Sequence, residues 1–155
     1  MGMLPINPSK RKLQSKIFGN MIRNCRKWFG NSKTVDSNGC PIVCYHATSS
    51  NFSVVNMKKG TQGLFWFTSS MAEIEDQSIG ATGYDRVMQL YIKMDRPADW
   101  KAYDNLMTFQ LKREYDGTML MDSDGTFSGF IFDPMQVKSV KNKGTFSPSI
   151  KKINQ

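Results

Sequence analysis

Gly63-Leu64-Phe65-Trp66-Phe67-Thr68-Ser69-Ser70 opens on glycine, runs through bulky apolar residues and closes on two serines, the pattern of a short strand between turn residues. Either Ser69 or Ser70 can cap a short helical stretch, Met71 to Gln77, which carries Glu73, Glu75 and Asp76. Upstream, Asp36-Ser37-Asn38-Gly39 is a turn, and Pro41 to His46 reads as a first strand ending in polar residues. Downstream, Gly80 to Gly83 reads as a loop, and Arg86 to Met94 alternates apolar and polar positions as a half-buried strand does, with Pro97 ending it. Residues 100–113 fit a short helix, Asp116 to Met121 a further strand, and Asp122-Ser123-Asp124-Gly125 a turn. Phe127 to Val140 supplies a last strand, broken at Asp133-Pro134. At least five short strands with two or three short helices predict an α+β domain.

A chain of 155 residues has room for one such domain. With 39% hydrophobic residues it is not disordered as a whole, and with 12 Gly and 6 Pro it is not fibrous. No apolar run reaches the roughly 20 residues of a membrane span, and Met1 to Lys12 has no apolar core of the signal-peptide kind. Secretion is not expected, and three cysteines, Cys25, Cys40 and Cys44, suit a reducing cytosol.

The net charge of +8 is unevenly placed. Residues 1–33 carry eight Lys or Arg and no acid, residues 34–137 hold eight against all 13 acids, and residues 138–155 add five lysines. The expected organisation is a basic amphipathic N-terminal segment (1–33), a mildly acidic domain (34–140) and a loosely ordered basic tail (141–155). In the first segment Leu13, Ile17, Met21, Ile22, Cys25, Trp28 and Phe29 recur at helical spacing, with Ser9 able to cap the helix and Gly30-Asn31 to stop it. Such a helix can lie on phosphates or on an anionic membrane surface. The plainer expectation is that its apolar stripe docks on the domain while its charges sit in water.

One histidine removes most catalytic templates at once. No nucleophile elbow accompanies it, and no phosphate-cradling glycine loop of either common type occurs. Cys40, Cys44 and His46 lack the paired short-spacing clusters of structural zinc, so buried free thiols are the better reading. Glu73 with Glu75, and Asp122 with Asp124, read as a helix start and a turn. What remains is His46 at a strand end, followed by Ala47-Thr48, with an aromatic strand and a serine-rich corner downstream.

Those residues carry a resemblance. Trp28-Phe29-Gly30-Asn31-Ser32-Lys33, Val35-Asp36-Ser37-Asn38-Gly39-Cys40-Pro41 and Tyr45-His46-Ala47-Thr48 are similar to the opening of the ADP-ribosyltransferase-like domains of phage polyvalent proteins and related mobile elements. Gly63 to Ser70, Leu90 to Lys93 with Pro97, Tyr115-Asp116-Gly117, and Phe132 to Ser139 followed by Gly144 to Pro148 resemble its later motifs in the same order, over residues 28 to 150.

The resemblance implies two small, mostly antiparallel sheets around a cleft that holds NAD, and mono-ADP-ribosyl transfer to a host protein. In its histidine–tyrosine–glutamate branch His46 would bond the nicotinamide-side ribose, Ala47 would grip the carboxamide through its backbone, and Thr48 would extend the polar contact. Phe65 or Trp66 would wall the nicotinamide ring, with Trp66 preferred. Three positions depart from the branch. Ala47 stands where glycine is usual, Gln77 where a stacking tyrosine is expected, with Tyr84 in the next loop, and Ser128 where the catalytic glutamate falls. Serine cannot supply the negative charge that stabilises a cationic transition state. Asp124 in the same hairpin, or a carboxylate of the substrate, would supply it. The alternative is a catalytically silent structural or binding module, in a virion or in the host bacterial cytoplasm, whose basic ends contact nucleic acid or a partner protein.

Overall fold

In a computed structural model, residues 8–49, 52–57, 63–75, 86–109 and 114–155 are described. A long helix, α1 (Pro8–Phe29), leads into β1 (Cys44–Thr48), β2 (Phe65–Thr68), the short α2 (Met71–Glu75), β3 (Arg86–Ile92), β4 (Pro97–Ala98) and α3 (Trp100–Phe109). Then come β5 (Gly117–Thr118), β6 (Leu120–Met121), β7 (Phe127–Ile131), a 3-10 turn (Pro134–Gln136) and β8 (Val137–Ser139). This is the mixed α+β class the sequence predicts, with few helices around a curled sheet.

The strands run in the order β4-β5-β7-β2-β1-β3-β8, with β6 on β7. All neighbours are antiparallel except β4 and β5. Two ladders dominate: β1 pairs β3 over five residues and β2 pairs β7 over four. Between them β1 and β2 share one register pair, Tyr45↔Thr68. The two ladders thus join into one curled sheet through a short rung.

Strand β2 is aromatic over residues 65–67 because both of its faces are covered. Phe65 and Phe67 point into the main core with Cys44, Leu90, Ile92, Ile131 and Val137. Trp66 points the other way, onto Phe130 and the cluster that holds Ala98 and Leu106. The apolar run at 127–140, expected as one interrupted strand, is two strands in different places. Asp133 caps the 3-10 turn by accepting from the Met135 amide, and the Gln136 side chain accepts from the Asp133 amide. The chain then leaves β2 for the far edge beside β3.

Residues 141–155 are not a loose tail. Ile153 is buried in the main core, its carbonyl accepts from Ser139, and its amide donates to Ser53. Lys138, fully buried on β8, gives its ammonium to the carbonyls of Ile150 at 2.8 Å and Lys152 at 3.1 Å, and also to that of Gln155. A buried cation requires such partners, and here they are supplied by the C-terminal segment. Helix α1 begins at Pro8, one residue ahead of the expected cap Ser9. It ends where Gly30, at φ 54°, donates to Arg26, a left-handed stop that glycine adopts without steric cost.

Candidate functional site at the parting of the sheet

His46 sits where the β1–β2 ladder stops. Beyond Tyr45↔Thr68 no further register pair joins the strands, and the His46 Nδ1 lies 2.6 Å from the Trp66 carbonyl oxygen. A carbonyl oxygen only accepts, so Nδ1 carries the proton and the neutral ring presents Nε2 as a lone pair. The imidazole lies on Phe65, ring centroids 4.0 Å apart and planes 22° from parallel, and Phe52 meets both rings edge-on at 6.3 Å. Burial pushes the imidazole below its ordinary pKa, against the opposing pull of the Trp66 hydrogen bond. The group is therefore a half-buried, oriented, neutral imidazole with its acceptor nitrogen turned from the protonated edge.

The next two residues stay on β1: Ala47, buried, is opposite Val87, and Thr48, half-buried, is opposite Arg86. The aromatic stacked on His46 is Phe65, while Trp66, the residue preferred for walling the nicotinamide, is on the other face of the strand. Successive side chains on a strand alternate sides, so Trp66 offers His46 its carbonyl while its indole packs at 4.9 Å on Phe130. Phe52 had no sequence signal, since it stands in an irregular segment whose contact with His46 is tertiary.

Ser128 lies on β7 directly across from Thr68 on one side and Leu120 on the other, half-buried. The serine-rich corner ties β2 to β7: the Ser69 amide donates to the Phe127 carbonyl, and the Ser69 hydroxyl accepts from the Phe127 amide. Thr68 Oγ1 accepts from the Ser70 amide and donates to Glu73 Oε2 at 2.7 Å. Glu73, legible from sequence only as a helix start, thus holds a carboxylate one side chain away from the rung that contains Ser128.

Asp124 is exposed at the tip of the β6–β7 hairpin and accepts from the Thr126 hydroxyl at 2.6 Å and amide at 3.0 Å. Those bonds, the hydroxyl's first, hold its carboxyl below the usual range. Gln77 and Tyr84 lie outside the described residues. Of the thiols, Cys44 is buried and pushed up to about 12, Cys25 is half-buried, and Cys40 is exposed, contrary to the expectation of buried cysteines. Elsewhere a cavity of about 260 Å³ is lined by Trp28, Lys93, Asp116, Asp133, Met135, Gln136 and Pro148, none of them among the candidate catalytic or NAD-binding residues. No helix among the described residues is long and apolar enough to cross a membrane.

No known family model, curated protein or solved structure matches this chain.

Proposed function

We propose that this chain is a phage or mobile-element mono-ADP-ribosyltransferase, which cleaves NAD and moves ADP-ribose to a host protein. The observation that carries the reading is His46, a neutral imidazole fixed by Trp66 and Phe65 at the point where the β1–β2 ladder stops. Its Nε2 suits a ribose hydroxyl as donor, and a ring held by a backbone carbonyl and a stacked aromatic needs little reorganisation to receive one. In the reaction the bond from ribose C1′ to the nicotinamide nitrogen breaks, and its electron pair leaves with nicotinamide. An acceptor side chain then bonds to C1′ and loses its proton to solvent. His46 orients the sugar, the Ala47 backbone grips the carboxamide, Thr48 extends the polar contact along the ribose, and Phe65 supports His46.

The charge expected at position 128 comes from elsewhere in this reading: from Glu73 through the Thr68 rung, from Asp124, or from the acceptor. The second reading, a silent module of the same fold that serves as a structural or nucleic-acid-binding unit, draws on the neutral Ser128 and on the commitment of Asp124 to its own turn. Incubation of the protein with labelled NAD and host lysate separates the two. Transfer or NAD hydrolysis that is lost in a folded His46→Ala variant supports the enzyme. A rise in melting temperature with NAD, without turnover, supports the silent module, since a ligand bound only by the folded state must stabilise it. Neither turnover nor a shift removes NAD from the account.

A further inference from the structure

The apolar face of α1 changes its surroundings part-way along the helix. In the C-terminal half Met21, Cys25, Trp28 and Phe29 pack with Phe146, Val35 and Tyr91, and Asn24 donates to the Gly144 carbonyl at 2.9 Å. At about 100° per residue Leu13, Ile17, Phe18 and Ile22 fall on the same half of the helix circumference as those docked residues. They are nevertheless 58%, 58%, 59% and 37% exposed. A single exposed leucine needs no explanation, but a continuous row of large apolar side chains marks a surface made for contact. On the other half of the circumference Lys12, Lys16, Arg23, Arg26 and Lys27 are all exposed, and α1 contains no acidic residue.

Charge and apolarity together select the occupant. A second copy of the helix would cover the apolar row but leave both acid-free cationic faces without counter-charge. Nucleic acid would neutralise the cations but leave Leu13, Ile17 and Phe18 in water, where their exposure gains nothing. A bilayer with anionic headgroups meets both requirements in one plane. We propose that the N-terminal half of α1 engages an anionic lipid surface, with Leu13, Ile17 and Phe18 in the acyl boundary and the flanking cations among headgroup phosphates. This tethers the domain at a membrane surface without spanning it, and it stands independently of the NAD reading.

The full chain is sedimented with vesicles of phosphatidylcholine alone or mixed with phosphatidylglycerol. Partition onto the anionic vesicles is expected to exceed that onto neutral ones by tenfold or more, and to fall as salt is added, on the order of fivefold being lost for each of Lys12 and Lys16 changed to Ala. The double variant Ile17→Asp, Phe18→Asp is expected to lose at least about tenfold in partition with its melting temperature unchanged, because both side chains are already in water. Equal partition onto both vesicle types, or onto neither, overturns the proposal. So does DNA binding that survives the double variant while vesicle binding is absent. A dimer that Phe18→Asp dissolves, with no vesicle binding, overturns it as well.

Discussion

Replacing His46 tests both its tautomer and its neutrality. His46→Ala removes a 2.6 Å hydrogen bond and a stacked contact with Phe65. At about 1 kcal/mol for the bond and about 1 kcal/mol for the aromatic contact, the loss near pH 7.5 is about 2 kcal/mol. His46→Asn keeps a short amide donor for the Trp66 carbonyl and loses only the ring, so it costs about half as much. The pH dependence is the sharper reading. Burial holds the folded-state pKa below the ordinary histidine value, so under acid the unfolded chain takes up a proton that the folded chain declines. The stability contributed by this group is complete above about pH 6.5 and is lost as pH falls through the folded-state pKa. The chain contains one histidine, so the remaining acid titrations are shared by wild type and variant. Urea denaturation from pH 7.5 to pH 5 is therefore expected to show the gap between wild type and His46→Asn narrowing. A gap that stays constant or widens would mean a charged or fully solvated ring, and would refute the argument.

Four further outcomes are expected. Ser128→Glu, which supplies charge on the rung opposite Thr68, is expected to raise NAD turnover by roughly 100-fold, read from nicotinamide release; no change would place the chemistry away from that rung. A thiol reagent added to native protein should label exposed Cys40 at once and buried Cys44 only after denaturation, which mass spectrometry of labelled peptides decides. Gly129→Ala would place a Cβ 2.0 Å from the Thr118 carbonyl oxygen, and a loss of about 3 kcal/mol or more in a denaturant titration is expected. Lys138→Met strips a donor from the carbonyls of Ile150, Lys152 and Gln155. It should cost about 2 kcal/mol and raise amide exchange in residues 150–155 ahead of the rest of the chain.

The α+β class, a strand starting at Arg86 and an N-terminal helix were legible because period-2 alternation, period-3.6 recurrence and turn residues are local signals. The only imidazole and the segregation of charge to the two ends are likewise properties of composition and order. Pairing is different, since which strand lies beside which is settled by the burial of the whole sheet. Asp133-Pro134 marks a local break between Phe127–Ile131 and Val137–Ser139, yet nothing local says that one pairs β2 and the other β3.

The site divides in the same way. Sequence placed His46 at the end of a strand from Pro41, beside an aromatic strand, whereas the strand is Cys44–Thr48 and His46 is its third residue. Only the tertiary structure set its ring on Phe65, gave its proton to the Trp66 carbonyl, turned the Trp66 indole away onto Phe130, and brought the Glu73 carboxylate to Thr68. It also drew residues 141–155 into the core through Ile153 and left half of the apolar face of α1 in water. A sequence records what each residue prefers to bury or to bond. Which partner is within reach depends on contacts between residues far apart in the chain, and those exist only once the sheet has closed around its core.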